Sequence, residues 1–140
     1  MKTATAYVDG SYDSETQEFS CGVVMFVDDK TETASKKFTN HPAAEMRNVA
    51  GEIAGAMLAM EYARKNKIDE ITIYHDYIGI AAWCTDAWKT KKEYTKKYRE
   101  FFTDISKSVK VNFVKVTGHS GDKFNDLADK LAKEALGKQQ

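Results

Sequence analysis

The chain has 140 residues, 21 of them Lys or Arg and 21 Asp or Glu, so its formal net charge is zero and its length suits one domain, residues 1–140. Balanced charge excludes binding to nucleic acid or membrane through net charge, and leaves that task to local clusters. No apolar run approaches the ~20 residues of a membrane span, Cys21 and Cys84 lack partners at metal-ligand spacing, and the opening MKTATAYVDG is unlike a signal peptide; these features predict a cytoplasmic protein with reduced thiols and no membrane partner.

In TATAYVDG, Ala4, Ala6 and Val8 alternate with Thr5, Tyr7 and Asp9, which predicts a half-buried strand ending at Asp9. FSCGVVMFV and TETASKKFT predict two more strands joined by a turn at Asp28-Asp29-Lys30. After Pro42, a helix is expected from Glu45 to Asn66, with Val49, Ile53, Ala56, Met60 and Ala63 as its apolar stripe. EITIYHD is a short strand with Ile71 and Ile73 on one face, followed by helical segments around Ile80 and Trp83 and over Lys92 to Lys107. KVNFVKVTG is the last strand, and DKFNDLADKLAKEAL the last helix, with Phe124, Leu127, Leu131 and Ala135 expected inward. A hairpin-rich start followed by β–α alternation predicts an α/β fold: a mixed sheet with helices on its faces.

Asp9 and Asp76 each end a predicted strand. If those strands are adjacent and parallel, both acids emerge at one edge of the sheet, where open α/β sheets place ligands; singly, each also suits a cap of the next turn. Glu52 borders the apolar stripe of its helix, a costly place for a carboxylate unless it is paired, bound to metal or turned out to solvent. Gly51 and Gly55 each cost about 1 kcal/mol against alanine inside a helix, so the pair signals close approach by sheet or by ligand backbone. Asp129 lies beside the last helix's stripe and Asn125 shares its face, positions that plain surface polar residues also take. Four acids brought together repel one another, so their convergence requires cations, and all-oxygen ligands suit Mg²⁺ or Mn²⁺ rather than zinc. Two such ions can hold the attacking water and the leaving oxygen of a phosphodiester, with no enzyme nucleophile.

YVDGS, RNVAGE, IYHD and GHSGDKFNDLAD, in that order and across essentially the whole chain, resemble the successive motifs of ribonuclease H, type 1 class. The resemblance implies a ribonuclease H-like, five-stranded mixed sheet, three antiparallel strands and then parallel ones, flanked by helices. It implies an endoribonuclease that cuts the RNA strand of RNA–DNA hybrids, leaves 5′-phosphate and 3′-hydroxyl ends, uses two Mg²⁺ (or Mn²⁺) ions, and works as a monomer without an obligate protein partner. By the same resemblance Asp9 bridges both metals, Glu52 and Asp76 complete the one that stabilises the leaving oxygen, and Asp129 completes the one that activates water. Asn48 and Asn125 become substrate contacts, with Gly10, Ser11 and Gly51 offering further polar groups to 2′-hydroxyls.

His119, between Gly118 and Gly121, is of a type that titrates near neutrality and shuttles protons; the resemblance gives it proton transfer or product release, not metal binding. Asp122 is expected to cap the last helix, and Asp126 corresponds to no ligand. Tyr77 stands where the family commonly has serine, His75 where threonine is frequent, and Arg47 where a threonine precedes the asparagine, although a guanidinium can bind phosphate directly. A family-type N-terminal hybrid-binding domain is not expected.

WKTKKEYTKKYREFF is the one markedly basic stretch, with Trp88, Tyr94 and Tyr98 interleaved among its lysines. Trp88 and Lys89 are assigned to contact with the DNA strand, whereas Tyr98, Phe101 and Phe102 are assigned to the core. Two other readings compete with a nuclease. A catalytically silent hybrid-binding module would be expected to lack one of the four acids or His119, and a phosphoacceptor signalling domain would alternate β and α from the start.

Overall fold

The computed structural model describes residues 1–117 and 123–138. Strands β1 (Thr3–Asp13), β2 (Glu18–Val27) and β3 (Lys30–Phe38) form an antiparallel meander. A 3-10 turn at Pro42–Met46 leads into α1 (Asn48–Lys65), then β4 (Glu70–His75), a one-turn α2 (Gly79–Ala82), α3 (Glu93–Ile105), β5 (Lys110–Lys115) and α4 (Lys123–Ala135). The sheet order is β3-β2-β1-β4-β5, with β4 parallel to both β1 and β5. This is the five-stranded mixed sheet that the motifs implied. No helix among the described residues is long and apolar enough to cross a membrane.

Strand periodicity sorts the side chains between two helical layers. Ala4, Ala6 and Val8 of β1 join Ile53, Ala56, Met60 and Ala63 of α1 in the main core. Tyr7, on the other face, stacks on Tyr74 and meets Phe124 of α4. Tyr98 is fully buried and its hydroxyl donates to the Ile80 carbonyl at 2.6 Å, which ties α3 to α2; Phe101 and Phe102 pack partly buried against the same core.

The structure corrects three expectations. Strand β1 does not end at Asp9: Gly10 to Asp13 continue the ladder with Cys21 to Glu18, while β4 stops at His75. Asp9 therefore sits inside a long strand, at the rung where its parallel neighbour gives out. The helix expected from Glu45 is interrupted at Arg47, whose φ of 57° and ψ of −132° are not helical, so α1 starts at Asn48. The inward face of α4 is also different, because the buried residues are Asn125, Ala128 and Ala132, flanked by partly buried Leu127 and Leu131. The reason lies in β2. A Cβ on Gly22 would stand 2.8 Å from the Ala132 nitrogen and 3.0 Å from the Leu131 Cβ, and closer still to the Ala128 carbonyl. Helix and strand approach too closely there for leucine, and only small side chains fit between them.

Candidate active site

The β1–β4 register pairs Tyr7 with Tyr74. Two residues further on, it brings Asp76 level with Asp9, so the adjacency that would bring these two acids to one place is present. Glu52 arrives from α1, and its Oε2 accepts hydrogen bonds from the backbone amides of Asp76 at 2.8 Å and Tyr77 at 3.4 Å. One carboxylate oxygen from each of Asp9, Glu52 and Asp76 lies within 4.8 Å of the other two. Asp9 faces Gly22 across the β1–β2 ladder, and α4 lies directly over Gly22. The close approach allowed by that glycine brings α4 and Asp129 near enough to Asp9 for Asp129 to help raise the Asp9 carboxyl. Lys133, one turn along α4, pairs with Asp129 at 2.9 Å.

Burial and mutual repulsion make this cluster expensive to ionise. Asp9 is 7% exposed and Glu52 2%. Loss of hydration, then the charge of Asp76, push the Asp9 carboxyl up to about 8, against a restraining hydrogen bond from the Gly10 amide. Burial likewise pushes Glu52 well above the usual carboxylate range, followed by the charge of Asp76, while the Asp76 amide bond works in the opposite direction. With Asp9 protonated, its carboxyl can donate to Asp129. A divalent cation would substitute for that proton, and the donor set fits one: every ligand atom is a hard oxygen, with no histidine or thiol in the described cluster.

The remaining sequence-predicted residues fall into four groups. Gly10, Ser11 and Gly51 are buried. The first and last of these form the helix–sheet contact: a Cβ on Gly51 would meet the Ser20 carbonyl and stand 2.9 Å from the Gly10 Cα, and one on Gly10 would stand 2.5 Å from the Glu52 nitrogen. The close approach read from Gly51 is thus to sheet backbone, and it sets the height of Glu52 above β1. Asn48 opens α1 and is exposed, Arg47 projects beside it with its guanidinium 5.8 Å from the Tyr12 ring, and Asn125 is buried one turn before Asp129. Trp88, 39% exposed, makes edge contacts with Tyr77 and Trp83, with ring centroids 5.9 and 5.8 Å apart. Lys89, Lys91 and Lys92 line the groove beside Tyr77 and Trp83. Arg99 is instead held by Asp86 and by the Trp83 carbonyl, at 3.2 Å. His119, with Gly118, Gly121 and Asp122, lies outside the described residues.

Sequence reasoning missed Gly22, and noted His75 only as a departure from the family pattern without a role. Gly22 interrupts an apolar strand, a recognised sign of close backbone approach. His75 is 1% exposed, its imidazole pKa lowered by burial, and its Nδ1 lies 2.9 Å from the Tyr77 carbonyl. Its signal was a polar residue continuing the buried face of Ile71 and Ile73.

Comparison with known proteins agrees with this geometry. The chain matches the RNase H family profile over residues 1–137. It is 27% identical over 147 residues to a ribonuclease H of Pseudoalteromonas translucida, covering 97% of this chain and 91% of that one. It is 28% identical over 152 residues to a ribonuclease H of Clostridium botulinum, covering 97% of both. Among solved structures, RNase H1 of the halophilic archaeon Halobacterium salinarum superposes with a TM-score of 0.79 at 21% identity, over 96% of this chain and 98% of that one. The N-terminal RNase H domain of a Mycobacterium tuberculosis protein gives 0.80 at 17% identity, over 98% and 95%. With the profile spanning almost every residue, the chain belongs to the RNase H family.

Proposed function

We infer that residues 1–140 act as one catalytic domain, an endoribonuclease that hydrolyses the RNA strand of RNA–DNA hybrids and leaves 5′-phosphate and 3′-hydroxyl ends. The observation that carries this reading is the convergence of Asp9, Glu52 and Asp76 within 4.8 Å, with Asp129 of α4 near enough to help raise the Asp9 carboxyl. These four residues would hold two Mg²⁺ ions, with Mn²⁺ as a substitute. Bound there, divalent ions supply charge stabilisation for the attacking and leaving oxygens of the phosphodiester. The protein's own part is to hold its carboxylates in place before the ions arrive: Gly10 fixes Asp9, and the Asp76 and Tyr77 amides fix Glu52. His119 is assigned to proton transfer or product release. Two buried free thiols, Cys21 and Cys84, fit a reducing cytoplasmic setting.

The test uses a hybrid labelled on either strand. With Mg²⁺ present, RNA in the hybrid should be cut internally to 5′-phosphate products, while the DNA strand and double-stranded RNA stay intact. Intact hybrid at high protein concentration would reject the assignment in favour of a binding module.

The hybrid is expected to lie with Asn48, Arg47 and Asn125 near the carboxylates and its DNA strand along the groove of Trp88 and Lys89. An exposed aromatic ring among lysines offers a sugar or base a packing surface and its phosphates a cation. Trp88→Ala should raise KM for hybrid about 10-fold, in line with roughly 1–3 kcal/mol per aromatic contact, and leave kcat within about 2-fold. A kcat loss at unchanged KM would place Trp88 elsewhere in the mechanism.

The raised Asp9 carboxyl also predicts how the metal-free protein responds to pH. The folded state keeps a proton up to about pH 8 that the unfolded chain releases near its ordinary value of 3.8. Stability from this group is therefore greatest below about pH 4 and falls as pH rises to about 8. In chelator, the Asp9→Asn variant should melt several degrees above wild type at pH 8, with the gap narrowing steadily as pH falls and closing near pH 4. Added Mg²⁺ should raise the wild-type melting temperature at pH 8 far more than that of the variant.

A further inference from the structure

His75 ends β4 on the same buried face as Ile71 and Ile73, a position where an aliphatic residue would complete the core. Burying an imidazole costs free energy unless its nitrogens are bonded. Among the described residues only one is: Nδ1 lies 2.9 Å from the Tyr77 carbonyl, and Nε2 meets no hydrogen-bond partner there. The ring otherwise packs edge-on against Phe113 of β5, centroids 5.9 Å apart. A carbonyl can only accept, so Nδ1 carries the proton and donates it. Packing explains the ring's volume but not its polarity; the bond to Tyr77 does.

That bond closes a short circuit of contacts around the site. The carbonyl held by His75 belongs to Tyr77, whose amide, with that of Asp76, faces Glu52 Oε2. The Val116 amide takes the His75 carbonyl at 2.7 Å, which anchors the strand end from the other side. The direction of the Asp76–Tyr77 turn, and with it the grip on Glu52, is set where the imidazole meets the backbone. We propose that His75 is a positioning residue for the carboxylate site: by donating to the Tyr77 carbonyl it fixes the turn that carries Asp76 and holds Glu52. This rests on the metal-dependent reading given above.

Two measurements on the full chain test it. Calorimetric titration with Mn²⁺ alone reads ion binding, and amide hydrogen exchange of the metal-free protein reads the turn. His75→Phe keeps an aromatic ring and removes the donor; His75→Asn keeps a donor at the place of Nδ1. His75→Phe should weaken Mn²⁺ binding about 10-fold, the lower end of the range for residues that orient metal ligands. It should also speed exchange at the Asp76 and Tyr77 amides about 10-fold relative to amides of α1. His75→Asn should restore both towards wild type. If phenylalanine prevents folding, His75→Leu, which also lacks a donor, serves the same comparison. Unchanged Mn²⁺ affinity, unchanged exchange in the turn, or equal losses in the donor-free and asparagine variants would overturn the proposal. A wild-type chain that binds no Mn²⁺ would overturn the metal reading itself, before any variant is compared.

Discussion

Asp9→Asn is expected to lower hybrid cleavage at least about 10³-fold, the equivalent of roughly 4 kcal/mol of barrier, while the fold and hybrid binding survive. Asp9 is the one carboxylate in contact with both sides of the cluster: Asp76 and Glu52 lie at the end of β4 and above it on α1, and Asp129 lies on α4. Asparagine has nearly the same shape and keeps an oxygen for the Gly10 amide, but it cannot carry the charge that would join two cations. Steady-state cleavage, hybrid binding in Ca²⁺ and a thermal melt separate the contributions. Full activity in this variant would remove Asp9 from the chemistry.

Gly22→Ala carries the second large effect, although Gly22 contributes no functional group. The added methyl would press on the Ala128 carbonyl and stand 2.8 Å from the Ala132 nitrogen, so α4 must lift off β2. Lifting it also breaks the hydrogen bond that the Ser20 hydroxyl donates to the Ala132 carbonyl. Overpacking of this kind costs about 1–3 kcal/mol. The same movement draws Asp129 away from Asp9, and a displacement of about 1 Å at a reacting centre can cost 10²-fold in rate. Gly55→Ala is the matched control. The nearest atoms to its methyl would be the Val8 Cβ at 3.3 Å and side-chain carbons of Cys21 and Val23 at 3.5 Å, none of them backbone, and helix propensity favours alanine by about 1 kcal/mol. Thermal melts and cleavage rates below the melting range should find Gly22→Ala impaired in both and Gly55→Ala close to wild type. Equal behaviour of the two would mean that α4 is not held by its contact with Gly22.

The contrast between these glycines indicates what could be read from the sequence. Strand alternation placed Ala4, Ala6 and Val8 in the core, because a period of two needs only local information, but it stopped β1 at Asp9, four residues short of where pairing with β2 carries the strand. The α1 stripe was legible for the same reason, whereas Glu52 was legible only as a carboxylate bordering that stripe, with burial and a turn out to solvent both open; the structure buries it. The inward face of α4 was not legible: hydrophobicity pointed to Leu127 and Leu131, whereas close approach at Gly22, distant in sequence, selected Ala128 and Ala132. The helix break at Arg47 carries neither glycine nor proline to announce it, and its backbone is fixed by flanking turns in which Ala44 and Ala50 take part. His75 could be recognised as a departure from pattern, but its partner is a backbone carbonyl, which no side-chain pattern reveals.

The most direct test of a carboxylate cluster built for two cations is the rate of hybrid cleavage against Mg²⁺ concentration at pH 8, from chelator upwards. The rate should be nil in chelator and rise with more than first-order dependence on Mg²⁺ at low concentration before it saturates. Undiminished cleavage in chelator would contradict the metal-dependent site built from Asp9, Glu52, Asp76 and Asp129.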